Sequence, residues 1–314
     1  MITVAALSPS LDLTYTLDRY QLGRMHRTPE PVAVAGGKAL NMARAARAMG
    51  AEVVVVALLG GTTGARVAAL AAAEGLPLVE VPSGAETRTC VSVAAADTGE
   101  LTEIYEDTRA VGPEVLERFA AALAERLGAR PGWLSISGRG PAGSADAVAA
   151  LVRLGRSAGA KVAVDTHGES LPGAAAAGPA LVKVNRGEAA ELLGRPASSD
   201  LAELAVEIRA RTGAVVVLTD GTAGAVAVGA SGPVRVAPPA QRGRFPVGSG
   251  DAFLGGLLAA LDRGQELVAA VRSGTGCAVA NALVPGQGHF DRALAERIAT
   301  QTSLSERRSA SSSP

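Results

Sequence analysis

The sequence predicts an α/β fold, with a mostly parallel central sheet and helices on both of its faces. Short runs rich in β-branched residues alternate along the chain with longer alanine-rich stretches whose apolar residues recur at helical spacing. Several of the longer stretches end at a glycine, which is typical of a helix C-terminus. Strands that alternate with helices in this way pair in parallel, and their continuous apolar character indicates burial on both faces.

The individual elements follow from these two patterns. The buried strands are predicted at residues 53–58, 133–137, 161–165, 181–185 and 214–219. The helices are predicted at residues 39–49, 65–74, 113–127, 144–158, 201–211 and 251–261. We assign residues 1–302 to one domain, and we expect the Ser/Arg-rich residues 303–314, which have no periodicity, to be disordered.

Two regions, residues 12–35 and 86–106, break the alternation. In the second region, strand-like residues 89–95 and 101–105 flank a turn at Asp97-Thr98-Gly99. The pattern predicts a small antiparallel sheet that forms a lid over the carboxyl ends of the parallel strands, where folds of this class bind ligands. Because such a sheet is not stable alone, we also predict a homodimer in which the two lids cover one another.

Composition and charge exclude several classes of partner. Thirty Lys and Arg residues balance thirty Asp and Glu residues, and there is no basic block, so we expect no nucleic-acid partner. Cys90 and Cys277 are the two cysteines and lack metal-ligand spacing, which argues against a disulfide framework or a structural zinc and fits a reducing compartment. The N-terminus lacks the charged region of a signal peptide, and no apolar run approaches the ~20 residues that span a bilayer. We therefore expect a cytoplasmic protein with no membrane partner.

The strongest chemical signal is the segment Gly248-Ser249-Gly250-Asp251, which runs directly into an apolar helix. Glycines at a helix N-terminus let backbone N–H groups converge on an anion at the positive end of the helix dipole. Asp251 lies at the same terminus, where it can take a proton from a hydroxyl that attacks a bound phosphate. The alternative is that Asp251 only caps its helix, and taken alone the segment favours that interpretation.

A second signal is the segment 36–41, in which a glycine pair again opens a helix. A lysine near a helix N-terminus is disfavoured by the dipole, so Lys38 needs a compensating anion. Asn41 adds a polar group one turn further on, in a helix made otherwise of small apolar residues. The alternative interpretation is a solvated surface lysine.

Taken together, these segments resemble the PfkB, or ribokinase-like, family of carbohydrate kinases, and within it the phosphosugar branch of 1-phosphofructokinases and tagatose-6-phosphate kinases. The resemblance runs from Ile2 to Phe290. It rests on five motifs in the order of the family: Gly36 to Asn41, Glu86 to Cys90, Asn185 to Glu188, Thr219 to Gly224 and Pro246 to Asp251. It implies the ribokinase-like fold with a β lid, and it changes the favoured interpretation of Asp251 from a helix cap to a catalytic base.

The resemblance also implies the other site residues. Asp251 would be the base, beside an anion hole formed by Gly248, Ser249 and Gly250. The substrate would be held by Asp12, Gly37 and Asn41 and by the cationic residues Lys38, Arg88 and Arg27. ATP would contact Lys183, Asn185, Thr219, Gly221, Gly224 and Asn281, although a packing role for Asn281 is equally open. Glu188 would bind Mg²⁺ through water, with an ordinary helix-start glutamate as the alternative.

Two departures from the family pattern are neutral and one is not. Ser8 and Ala39 replace residues that are usually Asn and Gly, and neither change removes a catalytic group. Arg139, in the segment Ser137-Gly138-Arg139-Gly140-Pro141, replaces a serine that normally lies near the sugar phosphate. Its guanidinium can either make a bidentate phosphate contact or obstruct the usual substrate.

The predicted activity is the ATP-dependent phosphorylation of a primary hydroxyl of a phosphorylated ketohexose: fructose 1-phosphate, fructose 6-phosphate or tagatose 6-phosphate. A kinase of an unphosphorylated sugar or nucleoside is the first alternative, but it would leave Lys38, Arg88 and Arg27 unpaired around a neutral substrate. A catalytically silent sugar-phosphate-binding protein is the second. The presence of Asp251, the glycine loop and Glu188 argues against it.

Overall fold

A computed structural model describes residues 1–241 and 243–306 of the chain. Its strands are β1 (Ile2–Ala6), β2 (Ser10–Leu17), β3 (Val32–Gly36), β4 (Val53–Leu59), β5 (Leu78–Pro82), β6 (Arg88–Ala95), β7 (Leu101–Tyr105), β8 (Trp133–Ser137), β9 (Lys161–Asp165), β10 (Leu181–Asn185), β11 (Val215–Thr219), β12 (Ala225–Gly229), β13 (Gly232–Ala237) and β14 (Ser303–Glu306). Its α-helices are α1 (Lys38–Ala48), α2 (Gly61–Ala73), α3 (Pro113–Ala129), α4 (Ala145–Ser157), α5 (Ser170–Ala176), α6 (Arg186–Leu193), α7 (Leu201–Thr212), α8 (Ser249–Asp262), α9 (Leu267–Ala282) and α10 (Arg292–Thr300).

The described residues form a central sheet in the order β14-β13-β12-β11-β10-β9-β8-β1-β4-β5. Neighbouring strands from β11 to β5 are parallel, and β12, β13 and β14 extend the sheet in antiparallel pairing. The predicted mostly parallel sheet is therefore confirmed. The predicted strands and helices all form, and the bounds of the strands differ from the prediction by no more than one residue at an end.

Helices cover both faces of this sheet, as the apolar strands predict. Within β1, Val4 packs into the core that α1, α8 and α9 complete, whereas its neighbour Ala5 packs into the opposite core with α3 and α4. Helix α8 lies close to α1, and Gly255 permits this approach: a Cβ atom at that position would lie 2.6 Å from the carbonyl oxygen of Met42. This close approach brings the first turns of the two helices to one end of the sheet.

The small sheet is present in the order β3-β2-β6-β7. Its outer pairs, β2–β3 and β6–β7, are antiparallel as predicted, whereas the central pair β2–β6 is parallel over its whole length, from Ser10 opposite Arg88 to Leu17 opposite Ala95. The reason is topological: β2 follows β1 and β6 follows β5, and both leave the carboxyl ends of parallel strands, so they run in the same direction.

The end of the chain requires one correction. Residues 303–306, predicted to be part of a disordered tail, form β14 and pair with β13, where Leu304 is opposite Val236. Hydrogen bonding along a sheet edge needs only backbone groups, so a Ser-rich segment can supply a strand that its composition does not indicate. The rest of the predicted tail, residues 307–314, lies outside the described residues. In the described part of the chain, no helix is both long and apolar enough to span a bilayer.

Candidate active site

Two adjoining clefts open at the carboxyl ends of the parallel strands, bounded on one side by the small sheet. The first cleft has a volume of about 610 Å³ and the second a volume of about 330 Å³. Thr219, Pro246 and Gly250 line both of them, so the clefts meet at the start of α8. This is the place that the parallel topology predicts for a ligand site.

Most of the predicted site residues line these clefts. Those in the first cleft are Asp12, Gly37, Lys38, Asn41, Arg88, Arg139, Lys183, Asn185, Glu188, Thr219, Gly248, Gly250 and Asp251. Those in the second cleft are Thr219, Gly221, Gly224, Ser249 and Gly250. Arg27 is exposed on the connection between β2 and β3, and Asn281 is buried in α9. Neither residue lines either of the two clefts.

The glycine loop turns the chain directly into α8. Gly248 has a φ of 77°, in the left-handed region that favours glycine, and it precedes the first residue of the helix. The Ser249 N–H is engaged within the loop, where it donates to the Pro246 carbonyl oxygen at 3.1 Å. The N–H groups of Gly250 and Asp251 come next and have no intrahelical acceptor, whereas the Ala252 N–H donates to the Gly248 carbonyl oxygen at 2.8 Å. The positive end of the helix dipole lies at this first turn. The start of α8 is therefore suited to bind an anion at the junction of the clefts.

Asp251 lies in the first turn of α8 and is buried. Burial raises its pKa to about 6, and Lys38 opposes that rise. Its Oδ2 accepts a hydrogen bond of 3.0 Å from the Asn41 side-chain amide. A carboxylate with a pKa near the operating pH is suited to accept a proton in a reaction.

Lys38 has two carboxylate neighbours within the protein. Its Nζ lies 3.2 Å from Asp165 Oδ1 and 3.8 Å from Glu188 Oε1. Asp165 raises the pKa of Lys38, and burial opposes that rise without reversing it. The compensating anion that the sequence requires of Lys38 is thus supplied by the protein, and the lysine stands close to Asp251.

Lys183 approaches the same carboxylate from the neighbouring strand. Its Nζ donates to Asp165 Oδ2 at 2.7 Å, and a Cβ atom on Gly250 would lie 3.1 Å from that Nζ. Burial acts to raise the pKa of Asp165, but Lys183 and Lys38 outweigh it and hold the pKa below its usual value. The ionised Asp165 therefore holds two ammonium groups beneath the glycine loop.

Glu188 caps the start of its helix, and it also lines the first cleft. Its Oε2 accepts from the Asn185 backbone N–H at 2.8 Å while the Asn185 side chain accepts from the Glu188 N–H at 2.9 Å, which is a capping box at the start of α6. Its other oxygen, Oε1, lies 3.8 Å from Lys38 Nζ, and Glu188 is part of the lining of the first cleft. Among the described residues, no three His, Cys, Asp or Glu side chains cluster so as to hold a metal alone. This donor set fits Mg²⁺, which keeps several waters and usually takes one or two carboxylates plus substrate phosphates.

Asp12 and Gly37 meet at the base of the small sheet. Asp12 Oδ1 accepts from Ser10 Oγ at 2.5 Å, and its Oδ2 accepts from the Gly37 N–H at 3.4 Å. Burial raises the pKa of Asp12. A Cβ atom on Gly36 would lie 2.0 Å from Asp12 Cγ, so the glycine makes room for this carboxylate. The glycine pair thus has a packing function next to its predicted contact with substrate.

Arg88 and Arg139 bring positive charge to the side of the first cleft. Arg88 Nη1 donates to the Glu106 carbonyl oxygen and Nη2 to the Ser8 carbonyl oxygen, each at 3.3 Å. Its Nε is buried and, among the described residues, has no hydrogen-bond partner. Arg139 is exposed at the rim of the same cleft. Both guanidinium groups are therefore placed where an anionic group of a ligand can reach them.

Asn281 is hydrogen-bonded within the protein, as the packing interpretation that the sequence left open predicts. Its Nδ2 donates to the Val247 carbonyl oxygen at 2.9 Å and to Ser249 Oγ at 3.1 Å, and its Oδ1 accepts from the Gly288 N–H at 2.7 Å. The amide is thus engaged with the glycine loop and with the 286–288 turn. These contacts support the packing role of Asn281, and its predicted contact with the nucleotide stays a prediction.

The second cleft is mostly apolar. Phe253, Ala278, Val279 and Ala282 form part of its wall, next to the predicted loop 219–224. Gly224 is required there because a Cβ atom would lie 2.2 Å from the Val236 carbonyl oxygen. An apolar slot that opens beside a helix N-terminus is suited to a flat base carrying phosphates.

The residues that sequence reasoning missed include the buried Asp165, which pairs with Lys38 and Lys183, and His167 and Gln287, which line the first cleft. Asp165 ends a correctly predicted strand and His167 follows it by two residues, so a search for polar residues at strand carboxyl ends would have found both. Among the described residues, His167 Nδ1 is a buried atom without a partner, and burial, Lys38 and Arg139 lower the pKa of His167. Gln287 has no local signal, since it lies in a glycine-rich turn.

A buried carboxylate at a glycine-lined helix start, where an apolar slot meets a polar cleft, is an arrangement for phosphoryl transfer to a bound acceptor, and on this fold it defines a kinase of small molecules. Residues 5–292 match the model of the pfkB family carbohydrate kinases, and the chain belongs to that family. The predicted family and its ribokinase-like fold are therefore confirmed.

Three relatives show the range of the similarity. The chain is 34% identical over 277 residues to a 1-phosphofructokinase of Rhodobacter capsulatus, which covers 87% of this chain and 88% of the relative. It is 26% identical over 312 residues to a tagatose-6-phosphate kinase of Staphylococcus epidermidis, covering 98% of this chain and 100% of the relative. The crystal structure of phosphofructokinase-2 from Escherichia coli in complex with fructose-6-phosphate superimposes with a TM-score of 0.87 at 27% identity, covering 96% of this chain and 98% of that one.

Proposed function

We propose that the protein transfers the γ-phosphoryl group of ATP to a primary hydroxyl of a phosphorylated ketohexose, with Asp251 as the base. The observation that carries this proposal is the position of Asp251: it lines the first cleft beside Gly250, and Gly250 lines both clefts. A hydroxyl in the first cleft and a phosphate chain entering from the second would meet at this point. The apolar wall of the second cleft supports its assignment to the adenine base.

In the proposed reaction, Asp251 accepts the proton of the attacking hydroxyl. The hydroxyl oxygen forms a bond to the γ-phosphorus of ATP as the bond from that phosphorus to the bridging oxygen of ADP breaks. Catalysis of such a transfer depends on positioning and charge stabilisation. The first-turn N–H groups of α8, together with Lys38 and Lys183, are the groups of this chain that would stabilise the negative charge on the transferred phosphoryl group.

Magnesium fits the polar end of the first cleft. Glu188 Oε1 and the Asn185 side chain would hold it through water, and the ion would neutralise charge on the phosphates of ATP. Lys38 Nζ lies 3.8 Å from Glu188 Oε1, so positive charge also lies beside this end of the cleft.

The charge of the first cleft supports a phosphorylated acceptor. Arg88 and Arg139 line the cleft that contains Asp251, and the buried Arg88 Nε is without a partner among the described residues. A phosphate would pair with these guanidinium groups by charge-assisted hydrogen bonds, whereas a neutral sugar would leave them unpaired. The relatives named 1-phosphofructokinase and tagatose-6-phosphate kinase support the same substrate class.

We also propose that the protein is a homodimer whose contact is the small sheet. Apolar side chains are exposed on this sheet and on the loop beside it: Ile104 and Val32 are 61% and 46% exposed, and Leu22 and Met25 are 87% and 84% exposed. A patch of this kind in a folded protein is typical of a contact with a partner. Arg27 lies on the same loop as Leu22 and Met25, where it would reach the substrate of the other subunit.

The test is ADP release by the purified protein, with and without Mg²⁺, against fructose 1-phosphate, fructose 6-phosphate, tagatose 6-phosphate, fructose and ribose. We expect Mg²⁺-dependent release with at least one phosphorylated ketohexose and a much lower rate with the plain sugars. A preference for fructose or ribose would contradict the proposal and identify the protein as a kinase of unphosphorylated sugars. Binding of a sugar phosphate without ADP release would identify a silent binding protein.

A further inference from the structure

The side-chain amide of Asn41 is enclosed by hydrogen bonds within the protein. Its Nδ2 donates to Asp251 Oδ2 at 3.0 Å and to Gln287 Oε1 at 3.1 Å. Its Oδ1 accepts from Arg44 Nη1 at 3.3 Å. An amide nitrogen has two hydrogens to donate, so both are used. The amide therefore has no N–H left for the sugar hydroxyl that the sequence assigns to it.

Arg44 determines which way this amide faces. A guanidinium group can only donate, so the atom of Asn41 that faces it must be the acceptor, Oδ1. The other end of the amide, the NH₂ group, must then face Asp251. With the amide turned around, two donors would face one another at Arg44 and two acceptors at Asp251, and both contacts would be lost.

Arg44 is itself held rigidly. Its Nε donates to Glu74 Oε2 at 2.7 Å and its Nη2 to the Ala35 carbonyl oxygen at 2.6 Å. Its Nη1 also donates to the Gln287 carbonyl oxygen at 2.8 Å. The side chain is buried, and the ion pair with Glu74 compensates its charge. Arg44 thus acts on Asp251 through the orientation of Asn41 and not as a neighbouring charge.

We propose that Arg44 is a positioning residue for the catalytic base: it locks the Asn41 amide so that its NH₂ group donates to Asp251 Oδ2 and leaves Oδ1 for the substrate hydroxyl. The proposal rests on the proposed function, in which Asp251 is the base. A donor to a carboxylate favours its ionised form, so the Arg44–Asn41 pair also works against the effect of burial on Asp251. The charged groups that act on Asp251 from neighbouring elements are Lys38 on α1, Asp165 on β9 and Lys183 on β10.

The main test compares Arg44→Gln with the control Glu74→Gln. Both variants weaken the same ion pair, but the control keeps the guanidinium that faces Asn41. We expect Arg44→Gln to lower kcat at least about tenfold and to move the acid limb of the kcat/KM profile upward by about one pH unit, with both KM values within about threefold. In Glu74→Gln the acid limb stays in place even if Tm falls. A merely structural role of Arg44 would lower Tm in both variants and move the acid limb in neither.

A direct titration separates this proposal from the proposed activity, because it needs no turnover. The carboxyl carbon of Asp251 is followed by NMR in protein labelled with ¹³C-aspartate, and the signal is assigned by its loss in Asp251→Asn. We expect its pKa to rise in Arg44→Gln and in Asn41→Leu, which is close to asparagine in size and adds no charge but cannot donate to Asp251. An unmoved pKa in the folded Asn41→Leu variant would overturn the proposal, and so would a raised KM for sugar with an unmoved acid limb. Loss of the proposed kinase activity alone would leave this titration unaffected.

Discussion

Lys38 Nζ lies 3.2 Å from Oδ1 of Asp165, and the other oxygen of the same carboxylate accepts a hydrogen bond of 2.7 Å from Lys183. One fully buried carboxylate therefore joins the first turn of α1 to β10. A bound phosphate would contact the same two side chains, and Asp165 holds them close together. The glycine loop lies directly above this cluster.

Removal of that carboxylate should destabilise the fold. In Asp165→Asn, two ammonium groups lose their partner, and the loss of one member of a buried ion pair costs about 3–5 kcal/mol. We expect the free energy of unfolding, measured by urea denaturation, to fall by that amount. The control is Glu52→Gln, which breaks an ion pair with Arg130 whose side chains are 60% and 59% exposed; it should change stability by less than about 1 kcal/mol. Equal effects of the two substitutions would contradict this account of Asp165.

Asp251→Asn should separate binding from chemistry. We expect kcat to fall by at least about 10²-fold, the usual contribution of a general base, while the KM values for sugar and ATP stay near those of the wild type. The variant should still fold, since an amide oxygen at this position can accept the bond from Asn41. Steady-state kinetics on the purified variant provide the measurement, and near-normal turnover would rule out Asp251 as the base.

The same substitution should raise stability at neutral pH. The pKa of Asp251 is raised from 3.8 to about 6 in the folded protein, so the folded state holds this proton more tightly than the unfolded state. The stability that this carboxyl contributes is present below pH 3.8 and is lost as the pH rises to about 6, a difference of roughly 3 kcal/mol. We expect Tm of Asp251→Asn to exceed that of the wild type at pH 7.5 and to equal it near pH 3.5. A lower Tm at pH 7.5 would contradict the raised pKa.

Activity should depend on pH through the same group. Because the base acts in its ionised form, kcat/KM should be constant above about pH 7 and should fall as the pH drops through about 6, the pKa of Asp251. A profile of kcat/KM for the sugar from pH 5 to pH 8, at saturating ATP and Mg²⁺, checks this. An acid limb near the ordinary aspartate value of 3.8 would show that a different or more exposed group controls the rate.

Arg88→Ala should weaken the binding of the phosphorylated acceptor and leave the binding of ATP nearly unchanged. A charge-assisted hydrogen bond to phosphate contributes about 1.5–3 kcal/mol, which corresponds to a rise in KM of roughly 10- to 150-fold. The KM for ATP should stay within about threefold, and the slow turnover of a plain sugar should be unchanged. Equal losses for phosphorylated and plain sugars would refute the phosphate contact.

Arg139→Ser makes the matching test at the second guanidinium of the first cleft, because it restores the residue that is usual in the family. If Arg139 binds the sugar phosphate, KM for that sugar should rise as in Arg88→Ala. If Arg139 obstructs the cleft, the variant should accept a wider range of sugars. The exposed position of Arg139, at the rim of the first cleft and beside His167, favours the first outcome.

The homodimer should be visible in solution. We expect analytical ultracentrifugation at micromolar concentration to give a dimer, and we expect Ile104→Asp, on the exposed face of β7, to shift it toward monomer with reduced activity. The control is Val206→Asp, which changes an equally apolar exposed residue on α7, remote from the small sheet. A fully active wild-type monomer would contradict the proposed contact and the proposed role of Arg27.

In the described part of the chain, local sequence patterns predict five of the ten strands of the central sheet and six of the ten α-helices. The five buried strands and six helices depend on apolar spacing and on glycines at their ends, and these properties are contained within each segment. The glycine loop before Asp251 and the glycine pair before Lys38 are local in the same sense. Their common position at one end of the sheet follows from parallel topology, so the sequence also indicates where the site lies.

Only the tertiary structure decides which partners these residues have. Lys38 and Asp165 are separated by 127 residues, and Asn41 and Asp251 by 210. No local pattern shows that Asp165 pairs with Lys38, that the Asn41 amide faces the base, or that Asn281 supports the glycine loop. No local pattern shows the parallel β2–β6 pair or the strand β14 either, because the pairing of distant backbone segments depends on how the chain crosses the sheet. The sequence by itself determines the elements and the chemistry they carry, whereas the contacts that orient and tune that chemistry form only when distant segments pack together.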